Sequence, residues 1–454
     1  MRAALLFLVG VAVAAVGAAP ASAASALWPQ PTRYGAQLRW DAHSNVLSGS
    51  EQIAFVNDGP SALSSVWLRV WPNGYGSCSH PWARLRSARG GRLVERRAGC
   101  TAVRMRLTRP VAAGAAGLVA VRLQVKAPQL SDRFGREHGI VYLGNALPLL
   151  DVQEPAGPTL EPYSAIGDPF YSLVARWSVR LDVPRPLVAA TTGDVKRSVS
   201  LPHGYRRLQL DATHARDFAI VLGRFAVDSS VTSGGVRLRH YRAAGESRSA
   251  SLAALKVARA AVETFSSWYG SPGLGSIDLV PGPGAFGGFG SGMEYPGLVL
   301  TSDEPQVVAH ELAHQWWYSL VGDDQWLSPW LDESFAEFSS RRLPQSVVPD
   351  DGLKCDLSNP VRPFGGALLT ESMHHWDAAS DAYYSEVYLG GTCALRSLEH
   401  DLGKDAMTAF LRSYVAAHRW GVVTTADFVA ALRAAAPPGY DVDAFLRRAR
   451  ITGS

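Results

Sequence analysis

The sequence lacks the marks of several common functions. Its 454 residues carry 44 Lys and Arg against 40 Asp and Glu, a net charge of +4, and no run of basic residues of the kind that binds nucleic acid. Charged residues make up 19% of the chain and hydrophobic residues 47%, an ordinary globular balance. The Gly/Pro/Phe stretch from Pro281 to Gly290 contains no Gly-Lys-Ser/Thr, so it is no phosphate loop. Its glycines would let backbone approach a bound peptide, and the strand after it could add to that peptide by β-pairing; a plain connector is the other reading. None of the four cysteines forms a Cys-x-x-Cys pair, which disfavours a cysteine-bound zinc. No internal repeat is present, and the length suggests two or three domains.

Long apolar runs are confined to the start of the chain. Arg2 gives a positive beginning, Ala3 to Ala19 an apolar stretch, and Ala21-Ser22-Ala23 a small-residue cleavage site. Residues 1–23 are therefore expected to be a signal peptide. A membrane anchor is the alternative, but the stretch is short for a span and no basic stop-transfer flank follows. No Cys follows the small residues to take a lipid. The expectation is export to the periplasm or the exterior, with no stable membrane anchor in the mature chain. Four cysteines agree with an oxidising compartment. They allow three connectivities, of which Cys78–Cys100 and Cys355–Cys393, each within one half of the chain, is the simplest.

The hydrophobic period changes partway along. Gln37–Asp41, Val66–Trp71, Leu118–Val125 and Ala175–Val183 largely alternate apolar and polar side chains, the pattern of half-buried strands. A large antiparallel β sandwich or saddle over residues 24–230 is the expectation. From 231 to 454 the spacing becomes mainly helical, over Ala250–Trp268, Cys393–Leu402, Asp405–His418 and Thr425–Ala434. The predicted fold class is multidomain α+β, a β domain followed by a mainly helical second part.

That second part carries the chemistry. In Val308-Ala309-His310-Glu311-Leu312-Ala313-His314-Gln315-Trp316-Trp317, His310 and His314 stand one helical turn apart, about 5–6 Å between Cβ atoms. Both imidazoles then leave one helix face, as two corners of a tetrahedral zinc site require. Glu311 lies beside the first ligand, placed as general base on the attacking water. The flanks Val307, Val308, Leu312, Trp316 and Trp317 are apolar, so the helix should be buried, and buried histidines need partners. A catalytic zinc has three protein ligands and one open position. Glu333, in the apolar setting of Trp330, Leu331 and Phe335, is the best third. Glu337, one turn further, faces the same way and would fix the tautomer of a ligating histidine. The adjacent pair His374 and His375 reads as non-ligating, because neighbouring residues point different ways.

His-Glu-Leu-Ala-His, eighteen intervening residues, then Glu333 in Trp-Leu-Asp-Glu-Ser-Phe-Ala-Glu resembles the gluzincin metallopeptidases, and within them the aminopeptidase N and leukotriene hydrolase group. Ser291-Gly292-Met293-Glu294-Tyr295 resembles the family's Gly-Ala-Met-Glu-Asn exopeptidase motif. Val387-Tyr388-Leu389-Gly390-Gly391 resembles the segment holding its catalytic tyrosine. The resemblance implies a thermolysin-like zincin catalytic domain with a helical second lobe over residues 231–454, and one Zn2+ per chain. It also implies Tyr388 as oxyanion stabiliser, with Tyr383 and Tyr384 as neighbouring competitors, and a substrate-binding loop of Gly292, Met293 and Glu294. On it Glu294 would pair with a peptide's free α-ammonium. A polar β-domain residue also helps hold the amine in the family; Gln153 lies in the plausible region, but its local match is poor. Ser291 and Tyr295 depart from the motif, and Tyr295 is expected to add an aromatic wall favouring apolar or aromatic first residues. Nothing resembles the large C-terminal helical domain of many members. The implied function is zinc-dependent removal of N-terminal residues from peptides. The alternatives are a secreted zinc endopeptidase and a binding protein with a degenerate site.

Overall fold

The computed structural model describes residues 27–284 and 292–453. The expected signal peptide, Ser291 and most of the Gly/Pro/Phe stretch lie outside the described residues. The alternating segments form strands as their period requires. Gln30–Asp41 buries Tyr34, Ala36, Leu38 and Trp40 while Arg33, Gln37 and Arg39 face outward. It lies in the middle of a seven-stranded sheet, in spatial order Asp194–Ser200, Tyr205–Ala215, Ala175–Pro184, Gln30–Asp41, Val46–Val56, Ala116–Lys126 and Ala83–Arg89. Two four-stranded sheets pack beneath it, one around Leu63–Arg69 and Ala102–Val111, the other around Ile140–Leu143 and Ile220–Gly223. Tyr34, Trp40, Phe55 and Trp177 share the core between them.

Two features differ from the sequence expectation. The large sheet is not wholly antiparallel: Gln30–Asp41 and Ala175–Pro184 run parallel, from Arg33↔Arg176 to Arg39↔Asp182. Most of the domain separates these strands in sequence, so no hairpin dictates their direction. The sheet of the C-terminal part also starts earlier than residue 231. Ala226–Val231 pairs along its whole length with Arg237–Arg242, which continues in parallel to Ser276–Pro281 and Leu298–Thr301. Strand alternation runs through this junction, so hydrophobic period alone cannot mark it.

Helix α1, Arg248–Tyr269, begins where the Ser247 side chain accepts from the Ala250 amide, satisfying one orphan N–H. It buries Leu255, Ala258, Val262, Phe265 and Tyr269, a stripe at helical spacing. Helix α2, Pro305–Ala313, has Pro305 in its first turn, where a missing N–H costs nothing. Helix α3, Trp330–Arg341, buries every residue from Trp330 to Ser340. Among the described residues six further α-helices, Met373–Ala378, Ser380–Tyr383, Gly391–Leu402, Lys404–His418, Thr425–Ala435 and Val442–Arg448, belong to the helical lobe. Buried polar contacts tie the two parts together: Tyr318 donates to Asp217 (2.9 Å), Arg216 donates to the Tyr318 carbonyl (2.7 Å), and Tyr295 donates to Asn145 (3.0 Å). The disulfides are Cys78–Cys100 and Cys355–Cys393. Among the described residues no helix is long and apolar enough to cross a membrane.

Candidate active site

Helices α2 and α3 cross so that three donor atoms converge. His310 Nε2 and His314 Nε2 are 3.1 Å apart, and Glu333 Oε2 lies 3.2 Å from the first and 3.4 Å from the second. A tetrahedral zinc with ligands at about 2.0–2.1 Å spaces its donors roughly 3.3–3.4 Å apart. The triangle therefore has the size and the N,N,O chemistry that a zinc ion takes.

The far side of each imidazole is held as well. His310 Nδ1–H donates to Glu337 Oε2 at 2.7 Å, and His314 Nδ1–H donates to the Trp317 carbonyl at 2.8 Å. A carbonyl only accepts, so the His314 proton sits on Nδ1 and the Nε2 lone pair points into the triangle. Glu337 is itself gripped by Arg341 Nε (2.7 Å) and Gln306 Nε2 (3.2 Å). Burial alone would raise the Glu337 carboxyl, but His310 and Arg341 overcome that and hold it down to about 2. The same contest keeps Glu333 low: desolvation opposes ionisation, and the two imidazoles outweigh it.

These residues open on a cavity of about 320 Å³, also lined by Gly292, Glu294, Glu311, Tyr384 and Tyr388. Glu311 is buried, and desolvation pushes its carboxyl up to about 8 against the pull of His310 and His314. A methyl group on Gly292 would overlap the Glu311 carboxylate, so only glycine admits this approach. Met293 bridges antiparallel to Leu300, which extends the edge of the sheet by one residue and presents the next one, Glu294, to the cavity. Glu294 is 1% exposed, and carboxylate oxygens of Glu294 and Glu311 lie within 4.8 Å of each other and of a His314 nitrogen.

Tyr388 sits on a π-helical turn, Tyr384–Gly390, a widened geometry that recurs at functional sites. Its ring stacks on His310, with centroids 5.6 Å apart and planes 15° apart. The turn packs tightly on α3, since a methyl on Gly391 would overlap the Ser334 side chain. Tyr384 also lines the cavity but is 53% exposed. Tyr383 is buried behind Tyr388, its hydroxyl beside Gly167.

The structure corrects one expectation and adds residues the sequence did not signal. Tyr295 forms no wall of the cavity: its ring is buried and its hydroxyl reaches Asn145 of the β domain. Gln153 pairs with Trp28 and Pro158 away from the cavity. The β domain contributes Arg133, Gly167 and Asp168 instead, with Arg133 and Asp168 ion-paired. Gln325 was also missed. It is buried and its Nε2 donates to Glu294 Oε1 at 2.8 Å and to Asp332 Oδ2 at 2.6 Å. No motif surrounds it, and spacing offers no signal for a contact made between loops.

Residues 300–448 match the Peptidase family M1 domain. The chain is 27% identical over 289 residues to aminopeptidase M1-B of Oryza sativa subsp. japonica, covering 57% of this chain and 32% of that protein. It is 26% identical over 292 residues to aminopeptidase M1 of Arabidopsis thaliana, with the same coverages. It thus spans about a third of the length of these curated relatives. Among solved structures, the M1 zinc metallopeptidase from Deinococcus radiodurans shares its fold, with a TM-score of 0.69, 20% identity and 93% of each chain covered. A variant of that protein bound to a Tyr-Ser-Ala substrate superposes with a TM-score of 0.65 at 19% identity, over 93% of this chain and 94% of that one. The match over the two helices that form the triangle, together with a fold shared over almost the whole chain, supports a place for this protein among the aminopeptidase N-type gluzincins of the M1 family.

Proposed function

We propose that this chain is an exported zinc aminopeptidase that removes residues one at a time from the free N-terminus of peptides. The observation that carries the reading is the His310–His314–Glu333 triangle with two further buried carboxylates, Glu294 and Glu311, at its open side. His310, His314 and Glu333 would hold one zinc ion per chain. When bound, zinc polarises the scissile carbonyl and lowers the pKa of water enough to supply a nucleophile near neutral pH.

The protein residues then divide the remaining work. Glu311 takes the proton of the attacking water and returns it to the leaving amine. The Tyr388 hydroxyl donates to the oxyanion as charge develops there, a contact stronger in the transition state than in the ground state. Burial pushes that hydroxyl above its ordinary range, which supports a protonated donor. Glu294 pairs with the α-ammonium and sets the peptide N-terminus one residue from the metal. Gln325 holds Glu294 in place with a neutral donor. Glu337 fixes the His310 ring. The paired disulfides support passage through an oxidising compartment.

The test compares matched peptides with free and acetylated N-termini by mass spectrometry, alongside metal analysis. Stepwise loss from the free peptide, near inertness of the acetylated one and one zinc per chain are expected. Equal cleavage of both at internal bonds would make the protein an endopeptidase.

A further inference from the structure

Charge is divided unevenly along the chain. Residues 27–223 carry 24 Lys and Arg against 14 Asp and Glu, whereas residues 224–454 carry 19 against 26. Much of the excess in the β domain lies on the outward face of the seven-stranded sheet. Reading across that face through the strand registers, Arg197, Arg180, Arg122 and Arg86 are separated only by Gln209, Gln37 and Ser50. This row crosses all seven strands, roughly 29 Å at about 4.8 Å per strand, without one carboxylate. All four arginines are exposed.

Three pairings on the face set like charges directly opposite one another: Arg33↔Arg176 and Arg86↔Arg122, and, at one edge, the acidic pair Asp194↔Asp211. Sheets ordinarily set opposite charges at such positions, because like charges there destabilise. Arg207, by contrast, is bound by both oxygens of Asp182. Among the described residues Arg33, Arg86, Arg122 and Arg180 have no acidic partner within ion-pair distance. Between Arg33 and Arg180 the face dips into a groove of about 330 Å³, floored by Gly35, Ser50 and Gln52. Small residues there leave room for a chain to lie against the backbone, with guanidinium forks on both sides.

We propose that this face docks an extended anionic polymer of linked phosphate groups, with arginine forks gripping phosphate oxygens along the row. An array of arginines that repel one another is relieved when anions lie between them. A repeating phosphate chain matches both the length of the row and its absence of acidic groups. The surface belongs to the β domain and is separate from the zinc cavity, so the proposal stands whether or not the peptidase reading does.

The test titrates the full chain with inorganic polyphosphate at low and high salt. Binding that weakens steeply with salt is expected. Arg86→Ser/Arg122→Ser and Arg33→Ser/Arg180→Ser should each bind roughly tenfold more weakly. Arg259→Ser, on the exposed side of α1 and paired with Glu263, should bind as the parent does. Thermal melts should show both face variants as stable as the parent or more so, since each removes repulsion, and cleavage of a short peptide should not change. Absence of binding, or equal weakening by Arg259→Ser, would overturn the proposal. Tighter binding to phosphatidylglycerol vesicles than to polyphosphate at equal phosphate concentration would also overturn it, in favour of a membrane surface.

Discussion

The zinc cavity and the core around Glu51 of the β domain treat buried charge differently. Around the cavity, buried carboxylates come with directed partners: Glu337 with His310, Gln306 and Arg341, Glu333 facing two imidazoles, Glu294 with Gln325. In the β domain, Glu51 is 0% exposed in the apolar core, and both of its carboxylate oxygens lack any partner. Asp323 near the site also lacks a hydrogen-bond donor, but it has the Arg216 guanidinium as an electrostatic neighbour. The difference separates two meanings of a buried charge. Where the partners leave one oxygen or one nitrogen turned toward a shared space, the group is arranged for a ligand. Where nothing faces it, the group is a cost carried by the fold.

The sharpest way to break that comparison is to remove charge from the cavity while keeping shape. Glu311→Gln removes the proton acceptor and no metal ligand. Turnover should fall about 10²–10⁴-fold, with zinc content unchanged by metal analysis. Substantial activity with full zinc would remove Glu311 from the mechanism. Glu337→Ala frees the His310 ring and leaves Arg341 with Asp351 as its remaining acidic partner. Zinc affinity should drop about 10–100-fold, measured by competition with a chelator, and added zinc should restore part of the activity.

What the sequence made legible follows from how local each feature is. The zinc triangle could be read because His310 and His314 sit one turn apart on one helix, and Glu333 and Glu337 repeat that spacing on the next. Period alone located α1, the helical lobe and strands such as Gln30–Asp41. Gln325, Arg133 and Asp168 could not be read, since they meet the cavity only after loops and two domains are brought together. The arginine face was hidden for a related reason. Alternation puts every second residue on the opposite side, so arginines that form a row across the sheet never form a run along the chain. Tyr295 failed as a wall residue because its hydroxyl is taken up by Asn145, distant in sequence and in the other domain.

Gln325 offers a finer test of the directed partners. Gln325→Ala leaves the triangle and Glu311 intact but removes a donor to the Glu294 carboxylate and one to Asp332. The carboxylate then loses its fixed orientation. KM for free-amine peptides should rise about tenfold, with a smaller change in kcat, because the lost contact acts on binding of the ammonium rather than on bond cleavage. Gln325→Asn is too short to restore it. An equal fall in kcat with unchanged KM would place Gln325 with the groups acting in the transition state.

The smallest effect belongs to the other side of the comparison. Glu51 lies among apolar side chains, with Tyr34 as its charged-state neighbour. Desolvation raises its carboxyl well above the ordinary value of 4.5. The folded state therefore holds this proton to higher pH than the unfolded state does. By linkage, stability from this group is present in full at low pH. It declines as pH rises past about 4.5 and stops declining only above the raised folded value. Glu51→Leu abolishes the titration and replaces a charge-bearing group with one that suits the core. The variant should be more stable than the parent by about 1–3 kcal/mol near neutral pH, with the gap narrowing toward pH 4. Urea unfolding at several pH values measures it. A gap that is constant across that range would show that Glu51 finds a partner for its charge, and that buried charge in the β domain is arranged like that at the zinc cavity.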